Sequence, residues 1–274
     1  MNDQTKADKP VVLSIAGFDP SGGAGTIADV RTLVQFGVRP TAAITSLTFQ
    51  NSEGYYGAIH ETAESLRAQI LPIVEEHRIA ALKIGMLPTV EMVIEVARQI
   101  AEANLPPPVI DPVMRSSSGY DLVEPDAIDA LVSELLPLAR LVTPNIPEAE
   151  RLSGLRITSE ADMRVAAAKL RELDVRAVLI KGGHLSPNDS ELTAVDFLDD
   201  EGQITLLRGE WIEAGELRGT GCMLSSAIAA CLAQGIELKE SVRIAKEFVA
   251  NAIRNAPVLQ PDPVTLELTE FTGQ

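Results

Sequence analysis

Val11-Val-Leu-Ser-Ile-Ala-Gly-Phe-Asp-Pro-Ser-Gly-Gly-Ala-Gly25 is a short apolar run that passes into a glycine-rich loop, and helical spacing through Val30, Leu33 and Val34 follows it. The order is strand, loop, helix, and it recurs. Ala80–Ile84 precedes a helix around Thr89–Ala103, Pro108–Ile110 one around Pro125–Leu138, and Arg140–Thr143 a short one at Pro147–Ser153. Ser159–Leu173 reads as a helix before a strand at Ala177–Ile180. Strands alternating with helices of this length predict a mainly parallel sheet covered on both faces. Ala194–Leu198 and Ile204–Arg208, joined by Asp199-Asp-Glu-Gly202, predict an antiparallel hairpin at one edge. Two helices, about Cys222–Gln234 and Lys239–Asn255, follow Gly219-Thr-Gly221, with Gly235 as the stop between them. The tail from Pro257 reads as irregular. With no repeat or linker, residues 1–274 are expected to form one α/β domain with its core at about 11–255.

The composition agrees with that class. Hydrophobic residues make up 46% and aromatics only 4%, so aliphatic side chains must fill the core, as they do in helix-covered parallel sheets. A formal charge of −16 disfavours nucleic acid and anionic membranes as partners, and any nucleotide site must be made positive locally. Met1–Pro10 lacks the apolar centre of a signal peptide, and no stretch has the run of apolar residues needed to span a bilayer. A cytoplasmic protein is expected. Cys222 and Cys231 are the only cysteines, too few for a disulfide framework, and both are expected as free thiols.

Three groups of residues could carry chemistry. The glycines between Gly17 and Gly25 allow a ligand close to the backbone, but their spacing matches neither the dinucleotide fingerprint nor a P-loop. By themselves they fit a phosphate cradle or a tight turn. Arg218-Gly-Thr-Gly-Cys222 opens a helix of small residues, so its backbone N–H groups make an anion hole. A thiol at that terminus is expected to ionise more easily than usual, which makes Cys222 a candidate base or, alternatively, a small packing residue. Cys231 reads as core. The third group stands at the C-terminal ends of successive strands: Lys83 and Met86, Asp111, Asn145 and Glu148, and Lys181. Parallel sheets hold their ligands at that edge. Asp111 and Glu148 could carry Mg²⁺ and Lys181 could neutralise a transferring phosphate. His60 and His77 read as surface residues, while His184 follows Lys181-Gly-Gly near this edge. The histidines have no zinc-ligand spacing, and no nucleophile elbow Gly-x-Ser-x-Gly occurs.

Taken in order, Ala16–Gly25, Phe49-Gln-Asn51, Lys83-Ile-Gly-Met86, Asp111-Pro-Val-Met114, Thr143-Pro-Asn-Ile-Pro-Glu-Ala149, Lys181-Gly-Gly-His184 and Gly219-Thr-Gly-Cys222 resemble the hydroxymethylpyrimidine/phosphomethylpyrimidine kinases of thiamine biosynthesis. The resemblance runs from Val11 to Asn255. It implies the ribokinase-like three-layer α/β/α fold and ATP with Mg²⁺ as phosphoryl donor. It also moves the first glycine loop from the phosphate to the alcohol substrate: Gly17, Ala24 and Asp29 would surround an aminopyrimidine together with Gln50, Met86 and Val113. Asp29 and Gln50 would hydrogen-bond its ring nitrogens and exocyclic amine. Asp111, Asn145 and Glu148 would handle metal and phosphate, Lys181 the phosphate, and Gly219, Thr220, Gly221 and Cys222 the anion hole, with Cys222 where related enzymes carry a catalytic Asp. The family also implies that a homodimer is open to this chain.

Four departures from the family pattern stand out. Phe18 and Phe49 replace small residues, Thr26-Ile27 replaces Ile-Gln, and Arg218 stands where His commonly precedes the anion hole. The implied activity is phosphorylation of 4-amino-5-hydroxymethyl-2-methylpyrimidine and then of its monophosphate. The competing expectations are a pyridoxal or pyridoxine kinase, which the Asp29 and Gln50 pairing disfavours, and a silent ligand-binding protein, which would not need Asp111, Glu148, Lys181 and the Gly219–Cys222 loop together.

Overall fold

Successive residues of a strand face opposite sides. In β1 (Val11–Phe18) both sides are apolar: Val11, Leu13 and Ile15 enter one core and Val12 the other. Such a strand needs cover on both faces. In the computed structural model, which describes residues 9–51, 53–116, 119–183, 193–210, 212 and 218–255, two helical layers supply it. The expectations for His184 and for the tail beyond Pro257 lie outside the described residues.

The strands after β1 are β2 (Arg39–Gln50), β3 (Tyr55–His60), β4 (Ile79–Ile84), β5 (Val109–Ile110), β6 (Leu141–Val142), β7 (Ala177–Ile180), β8 (Thr193–Asp200) and β9 (Gln203–Glu210). They form one sheet in the order β3-β2-β1-β4-β5-β6-β7-β8-β9. The six strands from β2 to β7 in that order are parallel, while β3 pairs antiparallel with β2, β8 with β7, and β9 with β8. The hairpin expected at one edge is β8–β9. The reversal at the other edge was not expected, because β2 mixes threonines with small residues and carries no strong apolar alternation.

Helices α1 (Gly25–Gln35), α7 (Thr220–Ala233) and α8 (Leu238–Arg254) cover one face, with Leu33, Ala227, Ile228, Val242 and Ala245 in its core. Helices α2 (Ala63–Glu76), α3 (Val90–Glu102), α4 (Pro125–Ala130), α5 (Ile146–Ser153) and α6 (Glu160–Arg171) cover the other. Each fully buried aliphatic side chain in these layers contributes roughly 1.5–3 kcal/mol. The helix expected through Leu138 stops being α-helical at Ala130 and continues as a π turn over Leu131–Leu135 and a 3₁₀ turn over Leu136–Leu138. Pro137 has no amide to donate and its ring crowds the preceding turn, so regular α-helix ends before it. Among the described residues no helix is long and apolar enough to cross a membrane.

Two strand residues break the apolar pattern on the α1/α7 face. Ser14 of β1 and Lys83 of β4 are register partners, and both are 0% exposed. They meet Asp29 of α1: Lys83 Nζ donates to Asp29 Oδ2 at 2.7 Å and Ser14 Oγ donates to the same oxygen at 2.6 Å. Ser226 of α7 donates to Asp29 Oδ1 at 2.8 Å. One buried ion pair thus joins two strands and two helices. Burial pulls the lysine pKa down, but Asp29, with Cys222 and Asp111 adding, holds it above its ordinary value, so the pair is ionic. Removing one member strands the other charge. Lys83→Met is expected to cost about 3–5 kcal/mol in urea unfolding, and adding Asp29→Leu to recover part of that loss. A single substitution costing no more than a surface change would show that the pair carries no such constraint.

Candidate active site

The parallel strands deliver their C-terminal ends to one edge, where the chain leaves the sheet and side chains are no longer committed to strand packing. Along that edge stand Gly17 at the end of β1, Gln50 at the end of β2, Met86 beyond β4, Asp111 directly after β5, Asn145 after β6 and Lys181 directly after β7. Thr220 begins α7, and the glycines of its approach bring it to the same place.

At the centre, Lys181 Nζ donates to Asp111 Oδ1 at 2.9 Å. The Asp111 residue is 2% exposed and the lysine side chain 18%, so this pair sits at the boundary between core and solvent. Thr143 Oγ1 donates to the same aspartate oxygen at 3.3 Å. A Cβ on Gly221 would lie 3.2 Å from both Asp111 Oδ2 and Lys181 Nζ, so the first turn of α7 touches the pair and a side chain there would push it by a few tenths of an ångström. The N–H groups of that turn have no partner within the helix. Burial lowers the Lys181 pKa, yet Asp111 and Glu148 raise it further, and the ammonium remains charged.

Asn145 and Glu148 are locked to each other in a capping box. Glu148 N donates to Asn145 Oδ1 at 2.9 Å and Asn145 N donates to Glu148 Oε2 at 2.8 Å. Burial pushes the Glu148 carboxyl up and Asp111 adds to this, against the lowering by Lys181 and the Asn145 amide, leaving it at about 7. Among the described residues no group of three or more His, Cys, Asp or Glu side chains forms a metal cage. Asp111 and Glu148 beside Lys181 offer two carboxylates, the donor set that suits Mg²⁺, which binds through one or two carboxylates and completes its shell with water and phosphate oxygens.

The two glycine loops pack on one another. Gly219 has φ 78°, and a Cβ on it would come within 2.0 Å of Gly23 O and 3.2 Å of Ala24 Cα. A Cβ on Gly17 would meet Met86 Cε at 2.8 Å. Gly17 therefore lies against Met86, and Ala24 beside Gly219 at the start of α7, and Val113 follows Asp111 closely, its N–H donating to Asp111 O at 2.8 Å.

Two expectations require correction. Asp29, expected beside the substrate ring, is 0% exposed, and its carboxylate is held by Lys83, Ser14 and Ser226 under α1 and α7. Among the described residues it shares no hydrogen-bond partner with Gln50, whose amide meets Thr48 and Arg218. The phase of α1 explains this, since Asp29 faces the sheet one turn after Gly25. Cys222 was expected to ionise easily. Instead, burial pushes its thiol up to about 11, with Asp29 and Asp111 adding to the effect and Lys83 and the Gly25 backbone opposing it. The helix terminus is outweighed by desolvation and two nearby carboxylates. Cys231 is buried in α7, as the core reading expected.

Sequence reasoning missed the Lys83 pairing, although a lysine inside an apolar strand signals a buried partner. It also missed the Asn145-x-x-Glu148 capping box, which was legible from spacing.

A parallel α/β sheet whose open edge sets an aspartate–lysine pair against a glycine-started helix N-terminus defines a phosphotransferase of the ribokinase-like class. The chain belongs to the phosphomethylpyrimidine kinase family, whose model matches residues 19–264. A hydroxymethylpyrimidine/phosphomethylpyrimidine kinase of Streptomyces coelicolor is 40% identical over 89% of this chain and 88% of its own. The crystal structure of phosphomethylpyrimidine kinase from Clostridium difficile superposes with a TM-score of 0.78 at 36% identity, covering 89% of this chain and 100% of that one. An ADP complex of Bacillus subtilis pyridoxal kinase superposes with a TM-score of 0.82 at 35% identity, covering 92% and 95%.

Two measurements test this electrostatic picture. Alkylation of Cys222 by iodoacetamide should accelerate with pH without levelling off below about pH 9, whereas a plateau near neutrality would establish a thiolate. Glu148, with a folded pKa of about 7 against an ordinary 4.5, contributes stability that is present below 4.5 and lost as pH rises through about 7. Glu148→Gln keeps the cap acceptor and removes this titration. The stability difference between variant and wild type should therefore move in the variant's favour from pH 4.5 to 8, and a pH-independent difference would refute the shift.

Proposed function

We propose that the protein transfers the γ-phosphoryl group of ATP to the hydroxymethyl oxygen of 4-amino-5-hydroxymethyl-2-methylpyrimidine, and then to the phosphate of the product. The observation that carries this reading is the Asp111–Lys181 pair lying against Gly221 at the start of α7. That arrangement suits an anion that must be neutralised while it moves. The Lys181 ammonium and the backbone N–H groups of Gly219–Cys222 would hold the phosphoryl oxygens.

Asp111 and Glu148 are the groups that would hold Mg²⁺, with Asn145 fixing Glu148 through the capping box. The metal would supply charge neutralisation on the phosphates. Gly17, Ala24, Met86, Val113 and Gln50 would enclose the pyrimidine, with Gln50 reading its polar edge. Gly17 and Gly221 keep the walls close by presenting no side chain.

The alcohol oxygen forms the new bond to phosphorus as the bond to the ADP oxygen breaks. A loose transition state places little demand on a base, because the hydroxyl proton need not leave until the new bond is largely made. Cys222, protonated at neutral pH, would then position the hydroxyl rather than deprotonate it. Asp29 acts from beneath, holding α1 and α7 to the strands that carry these residues.

The pyridoxal alternative has one observation in its favour, the close superposition on pyridoxal kinase. ADP release should be measured with ATP and Mg²⁺ while the pyrimidine alcohol, its monophosphate and pyridoxal are offered separately. Turnover of the first two is expected, and Lys181→Met should lower kcat by about 100-fold or more while changing the pyrimidine KM little. Turnover of pyridoxal alone would overturn the assignment.

A further inference from the structure

Gln50 is held at both ends of its amide by groups that each have only one way to bond. Thr48 Oγ1 donates its single proton to Phe18 O at 2.9 Å, so toward Gln50 it can only accept. Gln50 Nε2 donates to it at 2.8 Å. On the other side Arg218 Nη2 meets Gln50 Oε1 while Nη1 meets Asn51 O. A guanidinium has donors and no acceptor, so the glutamine oxygen must face it. The two constraints are independent and select the same sense of the amide.

Arg218 is itself held from behind. Its Nη2 lies 3.6 Å from Asp19 Oδ2, a buried oxygen with no hydrogen-bond partner among the described residues, while Ser21 occupies Asp19 Oδ1 through its N–H at 2.9 Å and its hydroxyl at 2.7 Å. The charge of Asp19 therefore keeps the guanidinium at the junction of the two glycine loops and β2.

We propose that Arg218 and Thr48 are specificity-determining positioning residues that lock the Gln50 amide in the sense that reads an aminopyrimidine. So locked, Gln50 offers the ligand one remaining lone pair on Oε1 and one remaining N–H on Nε2, side by side. The exocyclic amine and adjacent ring nitrogen of a 4-aminopyrimidine present the complementary donor and acceptor. Pyridoxal carries no amine: with its 3-oxygen in the amine's place as a phenolate, it has no proton for Oε1, and only the reversed amide would present an N–H to it there. Reversal turns the amide NH₂ toward the donors of Arg218 and takes the donor away from Thr48. Discrimination thus comes from a penalty on the wrong partner as well as from contacts to the right one.

The inference rests on Gln50 facing the substrate as proposed above. The test compares kcat/KM for the pyrimidine alcohol and for pyridoxal in wild type, Arg218→Met, Arg218→Lys, Thr48→Val and the Arg218→Met/Thr48→Val double variant. Arg218→Met keeps length and removes the donors, and it should lower the pyrimidine-to-pyridoxal ratio by at least about tenfold, mainly through the pyrimidine KM. The KM for ATP should move by no more than about twofold. Arg218→Lys retains a donor-only group and should keep most of the ratio. Thr48→Val should erode it in the same direction, with the double variant losing more than either single one, and it decides the matter if Arg218→Met does not fold. An unchanged ratio in both Arg218→Met and Thr48→Val with pyrimidine turnover intact, or equal losses in Arg218→Met and Arg218→Lys, overturns the lock alone. Wild-type protein that turns over pyridoxal and no pyrimidine overturns both the lock and the functional assignment beneath it.

Discussion

The Asp29–Lys83 pair is the constraint on which the rest of the structure depends. Two opposite charges with no exposure to solvent cannot part without leaving one of them unsolvated, and the geometry here spans four elements. Ser14 and Lys83 come from neighbouring strands, Asp29 from α1 and Ser226 from α7. A pair of this kind is weak evidence for net stability. Its effect is to fix the depth and phase of α1 and α7 on the sheet, and both helices begin at the glycine loops that shape the site. The short side chains of α7, with Ser225, Ser226, Ala227, Ala229 and Ala230 all 0% exposed, let that helix lie close enough for its first turn to touch Asp111 and Lys181.

A protein carrying a formal charge of −16 must make its anion site locally. The backbone N–H groups at the start of α7 and Lys181, bonded to Asp111, are what it offers there. Lys83 is fully buried in its pair with Asp29, whereas Lys181 keeps part of its side chain accessible. Burial is the main cause that suppresses ionisation of Cys222 and Glu148, and the neighbouring carboxylates that raise the lysine pKa values add to it.

The fold was largely legible from local pattern. The alternation of apolar runs with helical periodicity, the turn at Asp199–Gly202 and the strand-end positions of Asp111, Asn145 and Lys181 all follow from the physics of neighbouring residues. Strand β2 was not, because it mixes threonines with small residues and carries no strong apolar alternation of its own. The site residues were legible as types and as order along one sheet edge, because strand-end positions follow from the same local pattern.

The amino-acid sequence by itself determined that the chain makes a covered parallel sheet and which side chains reach its C-terminal edge, since periodicity and chain direction depend only on local covalent geometry. Tertiary structure alone decided that Asp29 belongs to a buried ion pair, that the Cys222 thiol stays protonated and that the Gln50 amide points one way. Each of these rests on partners far away in sequence: Ser226 lies 197 residues from Asp29, and Arg218 lies 168 from Gln50. Desolvation and hydrogen-bond direction are properties of the assembled surroundings, and no stretch of chain carries them until the layers have closed.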